Sequence, residues 1–243
     1  MKTAIRALLL SSVIFTSCGS SDNTSGNICF DMEDSAGHKY SAVMHLPSSH
    51  SSKKPLPAVF IEDGGFLTDN GQEFWAAVDS LEEYGATGSV AVVCLDGKAD
   101  GAERTDFFVN TFIPYVQEKW NAGLTASDRI CFGASASADR CLTLSMQNDT
   151  LFSEYWCFSP SEADLSEFGL LSSPVEYRIC WSAQEEIEHF NYYPSLVNAI
   201  RKRGGKVDSR AFDNSIASRQ AWWQYLFTEE LKRRFPGQDS SLK

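Results

Sequence analysis

The stretch Arg129-Ile130-Cys131-Phe132-Gly133-Ala134-Ser135-Ala136-Ser137-Ala138 places a serine at the centre of a run of small residues. Its apolar start, 130–132, predicts a short strand, and the pattern of 138–146 predicts a helix. A strand, a sharp turn with a central serine and a helix form a nucleophile elbow, whose tight turn requires small residues beside the serine. The usual pattern is G-x-S-x-G, and here Ser137 replaces the second glycine. An ordinary loop between a strand and a helix is the alternative, so the rest of the chain has to decide.

Composition excludes several classes of function. The chain has 243 residues and a formal net charge of −11 at pH 7, which suits one α/β domain or two small ones. An acidic balance argues against nucleic acid as a partner and against a basic face that lies on a membrane. The histidines and cysteines show no spacing typical of a metal site. We therefore expect neither a metal nor a cofactor.

The N-terminus resembles a bacterial lipoprotein signal. Lys2 and Arg6 precede an apolar run, 7–15, that is too short to span a bilayer, and Phe15-Thr16-Ser17-Cys18-Gly19 follows. Cys18 would then carry the lipid and hold the protein in the cell envelope, with the anchor as the only membrane contact. An ordinary secretory signal with a stray cysteine is the alternative. The predicted organisation is a signal peptide (1–17), a flexible tether (18–27), one domain (28–235) and a tail (236–243).

The remaining cysteines are expected to behave as small apolar residues. Most of them lie in apolar, strand-like runs. An exported protein can form disulfides, but neighbouring parallel strands rarely present paired Cβ atoms, so we predict one bridge at most. These cysteines are Cys29, Cys94, Cys131, Cys141, Cys157 and Cys180.

Strands and helices alternate along the domain, which predicts a doubly wound, mostly parallel sheet with helices on both faces. Ligands of such sheets bind at the carboxyl ends of the strands. Pro114 is expected to kink or break its helix. Strands are predicted at 39–46, 58–61, 89–95, 130–132, 154–158, 175–181 and 206–212, and helices at 71–84, 106–120, 138–146, 190–203 and 216–234.

Four motifs follow one another along the domain. They are the strand that ends in Leu46-Pro47, the strand that ends in Asp63-Gly64-Gly65, the helix Phe108–Val116 with Thr111 in place of a glutamate, and Phe158-Ser159-Pro160-Ser161. In this order they resemble the esterase group of the α/β-hydrolase superfamily, which includes enterobactin esterase-like, S-formylglutathione hydrolase-like and feruloyl esterase-like proteins. The resemblance covers most of 38–235, and together with the serine turn it favours the nucleophile elbow over an ordinary loop.

The resemblance implies acyl transfer by serine. Ser135 would be the nucleophile, and the oxyanion would bind the backbone N–H of Ala136 and that of the loop 64–66, where we favour Gly65. The acid that orients the base would follow the strand ending at Trp181, where Glu185 is favoured although the family more often has aspartate. A solvated acidic start of a helix is an equal alternative for Glu185.

The expected base is missing from its place after the last strand. Depending on the register, Ser215 or Ser218 stands where the family has histidine, and a hydroxyl cannot hold a proton near neutral pH as imidazole does. His189 is the candidate substitute if its loop folds inward, and an exposed or capping histidine is the alternative. The other histidines, His38, His45 and His50, are expected at the surface or at an edge of the sheet.

Two residues outside the triad are also candidates. Arg104 is expected to form a structural ion pair. One residue of the pair Trp222-Trp223 is expected in the core, and the other could stack on a sugar or aromatic ring, for which we favour Trp222. The sequence thus predicts either a lipid-anchored esterase acting on a small ester or an acylated carbohydrate, or a catalytically inactive protein of the same fold that binds a ligand or serves as a scaffold.

Overall fold

The structure, a computed structural model, describes residues 26–51, 53–65, 71–97, 101–164, 166, 169–213 and 219–237. Its strands form one sheet in the order β1-β2-β4-β3-β5-β6-β7-β8. β1 is antiparallel to β2, β2 is antiparallel to β4, and the other neighbouring strands are parallel. The strands are β1 (Asn27–Glu33), β2 (Lys39–His45), β3 (Ala58–Glu62), β4 (Ala91–Gly97), β5 (Arg129–Ala134), β6 (Glu154–Phe158), β7 (Glu176–Ser182) and β8 (Lys206–Phe212).

Helices cover both faces of this sheet. Apolar side chains of α1 and α7 pack with one face, and those of α2, α3, α4 and α6 pack with the other. The described helices are α1 (Gly71–Glu83), α2 (Gly101–Phe107), α3 (Ile113–Trp120), α4 (Ala136–Gln147), α5 (Ala183–Glu188), α6 (Tyr192–Lys202) and α7 (Arg219–Arg234). The predicted architecture, a doubly wound and mostly parallel sheet, is confirmed.

The central strands explain why this architecture forms. Every residue of β3 and of β6 is buried, as expected for strands with helices on both sides. Alternate side chains therefore enter two separate cores. Phe60 and Cys131 point to one core, and Ile61 and Phe132 point to the other. Because helices cover both faces, a ligand is expected to bind to the loops at the carboxyl ends of the strands.

The helix predicted at 106–120 is three segments. α2 is followed by a π-helical segment, Phe108–Phe112, and then by α3. In the π segment the N–H of Ile113 donates to the carbonyl of Phe108, five residues earlier. Pro114 lies in the first turn of α3, where its missing N–H costs nothing. The break therefore precedes the proline, which starts a new helix.

The helix predicted at 190–203 is present as one helix, α6, which begins at Tyr192 after the left-handed residue Asn191 (φ 67°). The short helix α5, which ends at Glu188, precedes it and was not predicted. At the other end of the chain, β1 begins at Asn27, the last residue of the predicted tether. Cys18 and the predicted signal peptide lie outside the described residues.

The prediction for His45 is wrong. Its side chain is 2% exposed, because it packs against the ring of Trp75 and its Nδ1 lies 3.0 Å from Asn27 Oδ1. Val43, two residues earlier on the same face of the strand, interrupts the alternation of apolar and polar residues, and this was the sequence signal that the face is covered. His38 agrees better with the prediction, since 40% of its side chain is exposed beside Asp34.

β1 begins near the amino ends of the parallel strands, whereas the serine turn lies at their carboxyl ends. Asn27 pairs with His45, and His45 pairs with Val92, near the start of β4. Ser135 follows the carboxyl end of β5. Across the described residues, none of the helices combines the length and apolar character needed to cross a bilayer.

Candidate active site

Ser135 has a backbone conformation that residues with a side chain rarely adopt. Its φ is 55° and its ψ is −128°. Such a conformation costs on the order of 1–3 kcal/mol and persists only where the surroundings impose it. Here β6 and α4 impose it, because the N–H of Ser135 donates to the carbonyl of Phe158 at 2.9 Å and its own carbonyl accepts from the N–H of Ala138 at 2.8 Å. The serine therefore stands at the tip of a sharp turn between a strand and a helix.

Small residues close this turn. A Cβ at Gly133 would lie 2.5 Å from the carbonyl carbon of Ser137 and 2.8 Å from the nitrogen of Ala138, so only glycine fits. Ser137, which replaces the second glycine of the pattern, is buried and holds the turn together. Its Oγ donates to the carbonyl of Ala134 at 2.8 Å and accepts from the N–H of Ala134 at 2.9 Å. The substitution of serine for glycine therefore adds a clamp across the turn.

The sequence predicts that the loop after β3 contributes an oxyanion donor. In the structure the N–H of Gly65, the favoured donor, donates to Asp96 Oδ1 at 2.8 Å. Gly64 packs tightly on Cys94, since a Cβ there would lie 2.8 Å from the Cβ of Cys94. Phe66 lies outside the described residues. A carboxylate thus already holds the N–H that an oxyanion would need.

A buried charge network connects this loop to the serine helix. Glu62 Oε1 accepts from Arg104 Nε at 3.1 Å and from Arg140 Nε at 3.2 Å, and Arg140 also donates to Asp63 at 2.8 Å. Burial alone would lower the pKa of Arg140, but the carboxylates of Glu62 and Asp63 outweigh burial and raise it. The predicted ion pair of Arg104 is confirmed, with Glu62 as its partner.

Glu185 is buried at the start of α5. Its Oε2 accepts from Ser159 Oγ at 3.0 Å and from the N–H of Ser182 at 2.8 Å. Ser159 has a left-handed backbone (φ 53°), and its Oγ also accepts from the indole N–H of Trp223 at 3.1 Å. The alternative of a solvated glutamate is thus excluded, although the bond to Ser182 is part of a helix cap.

His189 follows α5 and is half-buried. The centre of its ring lies 6.2 Å from that of Tyr192 and 6.4 Å from that of Tyr193. The backbone N–H of His189 donates to the backbone carbonyl of Glu185. Among the described residues, no hydrogen bond joins the side chains of Ser135, Glu185 and His189 to one another. The role of His189 as base therefore stays a prediction. Ser215 and Ser218, one of which is predicted to stand where the family has histidine, lie outside the described residues.

Trp222 and Trp223 both lie in the core. Trp222 is 5% exposed and meets the ring of Phe212 edge-on, at 5.9 Å between centroids. Little of its surface is left for a ligand. Trp223 is 7% exposed and reaches the Ser159–Glu185 pair through its indole N–H. Trp223 therefore binds a serine that in turn hydrogen-bonds to the predicted acid, Glu185.

A cleft of about 850 Å³ lies beside the serine turn, between α2, the π segment, α4 and the loop after β6. Ala136, Asp139 and Arg140 line its inner wall. The Asp139 carboxylate holds the loop after β6 by accepting from the N–H groups of Ser161, Glu162 and Ala163. Burial raises the pKa of Asp139, and those three N–H donors oppose that rise. Sequence reasoning missed Asp139 and Arg140, and their only signal was their place one helical turn after Ser135.

Nothing in this region resembles a metal centre. The described part of the chain holds no group of three or more His, Cys, Asp or Glu side chains arranged to bind an ion. The chemistry available here is that of a strained serine, backbone N–H groups, the buried carboxylates of Glu62 and Glu185, and the half-buried imidazole of His189.

Comparison with known proteins agrees with this geometry. The family model described as "Putative esterase" matches residues 34–241. A siderophore hydrolase from Aspergillus nidulans superposes with a TM-score of 0.65 at 14% identity, over 86% of this chain and 95% of the other. A ferulic acid esterase from Anaeromyces mucronatus, solved with ferulic acid, superposes with a TM-score of 0.65 at 13% identity, over 86% and 89% of the two chains.

A third structure, the BES protein from Bacillus cereus, superposes with a TM-score of 0.66 at 13% identity, over 90% of this chain and 98% of the other. At such identities the likeness establishes the fold, which is that of the α/β-hydrolases. Among proteins with curated descriptions, none matches the sequence.

Proposed function

This chain belongs to the esterase family of α/β-hydrolases, and from that premise we propose that it is a lipid-anchored serine hydrolase of carboxylic esters, acting on a small ester or an acylated carbohydrate. The conformation of Ser135 is the observation that carries the proposal. A strained non-glycine residue at the carboxyl edge of a parallel sheet supports a functional role for its side chain. No structural need of the fold calls for a serine there, since Ala136 and Ser137 already supply the small residues of the turn.

In the proposed reaction Ser135 Oγ attacks the ester carbonyl carbon and forms an acyl-enzyme, while the alcohol leaves with a proton. The N–H of Ala136, at the start of α4, would stabilise the developing oxyanion. Water would then release the acid and restore the serine. Each half of this reaction needs a base that accepts a proton and returns it.

His189 is the candidate base and Glu185 the candidate acid. Ser159 and Ser182 fix the Glu185 carboxylate, as the orienting acid of a triad requires. The imidazole of His189 would have to leave its place beside Tyr192 and Tyr193 to reach Ser135. Activity would then depend on a movement of the segment between α5 and α6.

Two observations favour a second candidate function, an inactive hydrolase fold that binds a ligand. The family resemblance implies that Ser215 or Ser218 stands where the family has histidine, and the loss of a base histidine costs on the order of 10⁶ in turnover in subtilisin. Asp96 already accepts the N–H of Gly65, and its carboxylate would repel an oxyanion at that position. In this alternative the cleft beside Ala136 would bind a ligand without cleaving it.

A fluorophosphonate probe distinguishes the two functions, because it phosphonylates a serine only where a base and an oxyanion site activate it. We expect the folded wild type to be labelled, and both Ser135→Ala and heat-unfolded protein to stay unlabelled. Ser166→Ala, which removes an exposed loop serine, is the matched control and should keep full labelling. His189→Ala should abolish labelling if His189 is the base.

Hydrolysis of p-nitrophenyl acetate and of methyl ferulate provides the second measurement. Turnover that disappears in Ser135→Ala supports the esterase. Absence of both labelling and turnover in folded wild type would refute the esterase and leave the binding protein. Labelling retained in His189→Ala would remove that histidine from the mechanism.

The lipid anchor and the location in the cell envelope rest on the resemblance of 1–19 to a lipoprotein signal. Expression with radiolabelled palmitate in a bacterium that processes lipoproteins tests both. Wild type should carry label and sediment with membranes. Cys18→Ala should lose the label, and label retained in that variant would refute the anchor.

A further inference from the structure

Three thiols lie together in the core directly beneath the serine turn. Cys131 on β5, Cys141 on α4 and Cys157 on β6 belong to the same core and are each 0% exposed. Cys94 and Cys180 belong to the core on the opposite face of the sheet, so the sheet separates them from this cluster. The proposed reaction uses none of these sulfur atoms.

Cys131 and Cys141 are the pair in sulfur–sulfur contact, with 3.2 Å between their Sγ atoms. A disulfide bond is about 2.05 Å long, so the two atoms need to approach by roughly 1 Å. All six described cysteines, Cys29 included, are free thiols. The geometry points to a redox site in which Cys131 and Cys141 form a disulfide that spans Ser135 and ties strand β5 to helix α4.

The position of this pair decides when the disulfide can form. Cys131 and Cys141 are near in sequence and belong to one strand–turn–helix unit, so they can meet before distant strands assemble. After folding, no oxidant can reach the sulfur atoms. Burial also raises the pKa of the Cys131 thiol well above its usual range, so the native protein holds little of the reactive thiolate. We therefore expect oxidation during folding and inertness afterwards.

The chemistry needs one disulfide oxidant, such as oxidised glutathione or the active-site disulfide of an oxidoreductase. The Cys131 thiolate attacks the oxidant, which gives a mixed disulfide and one reduced thiol. The Cys141 thiolate then displaces the second thiol and forms the Cys131–Cys141 bond. The oxidant gains two electrons and two protons, and the protein loses the same.

The cross-link would enclose the serine turn in a short covalent loop. Because the loop is short and local, it restrains the unfolded chain moderately, and we expect the Tm of the oxidised protein to exceed that of the reduced protein by roughly 5–10 °C. It would also prevent β5 and α4 from separating, so the strained conformation of Ser135 would be retained during local opening elsewhere in the domain.

Peptide mapping tests the disulfide without relying on a variant. The full chain is unfolded in guanidinium, refolded at pH 8 with reduced and oxidised glutathione, alkylated under denaturing conditions and digested. Trypsin cuts after Arg129 and Arg140 and so separates the two cysteines, which makes the cross-link visible as 130–140 joined to the peptide that begins at Cys141. Chymotrypsin then separates Cys141 from Cys157 by cutting after Phe152 and Tyr155.

We expect the joined Cys131 and Cys141 peptides from protein refolded with oxidant. We expect only alkylated cysteines from native, reduced protein that meets the same oxidant after folding. Cys157→Ala should keep the cross-link and serves as the matched control. Two alkylated thiols after oxidative refolding, or a bond from either cysteine to Cys157, would overturn the assignment. So would an equal Tm for the two redox forms.

Discussion

Gly133→Ala should destabilise the protein strongly, because the turn has no space for a methyl group. The new Cβ would lie 2.5 Å from the carbonyl carbon of Ser137 and 2.8 Å from the nitrogen of Ala138, and Cβ contacts under 3.0 Å essentially never occur. Both atoms belong to the backbone, so no rotamer change relieves the clash. Overpacking of this kind costs about 1–3 kcal/mol or more.

Relief requires the turn to open, which breaks the two hydrogen bonds between Ser137 and Ala134. Each such bond contributes about 1 kcal/mol. The sum predicts a loss of about 3–5 kcal/mol from a total stability of about 5–15 kcal/mol. For a domain of this size the expected fall in Tm is on the order of 10 °C.

Urea unfolding followed by tryptophan fluorescence measures the loss. Gly169→Ala is the matched control, since no atom lies within 4 Å of its added Cβ and its backbone is not left-handed. We expect that control to stay within about 0.5 kcal/mol of the wild type. A Gly133→Ala variant that is as stable as the control would refute the closed turn and, with it, the strained conformation inferred for Ser135.

Three further predictions concern the surroundings of the turn. Ser137→Ala leaves the buried N–H of Ala134 without its acceptor and should cost about 1–3 kcal/mol in urea unfolding. Ser80→Ala, at a half-buried helical serine whose hydrogen bond is exposed, should cost less than about 0.5 kcal/mol. Glu62→Gln removes the carboxylate between Arg104 and Arg140 and should cost about 3–5 kcal/mol, whereas Glu176→Gln breaks an exposed pair with Lys206 and should cost less than about 0.5 kcal/mol. Burial lowers the pKa of His45 despite the carboxylates of Asp79 and Glu82, so the unfolded chain binds the proton first as the pH falls below about 6.5. Wild-type stability should therefore decrease from pH 7 to pH 5, and His45→Gln should show a smaller decrease; equal slopes would contradict a neutral, buried His45.

The fold could be predicted from the sequence because its central elements carry local signals. β3, β5 and β6 are short apolar runs, and strands of that kind are buried on both faces wherever they occur. The turn at Ser135 was recognisable because only small residues can occupy it. These signals depend only on residues that are neighbours in sequence, so they can be recognised before the tertiary contacts are known.

The site was less predictable because its contacts join distant segments. Glu62 and Arg104 are 42 residues apart, and Asp139 reaches the loop after β6 more than twenty residues later. No local pattern specifies such pairs. The same reason explains the error for His45, whose burial depends on Trp75 in a helix that follows a different strand.

The start of β1 and the serine turn lie at different ends of the sheet. Asn27 and Ser135 lie at opposite ends of the parallel strands, about 17 Å apart along the strand direction. In a chain held by its amino-terminal end, the serine turn and the cleft would therefore lie at the end of the sheet away from the attachment point, where an ester in solution could reach them.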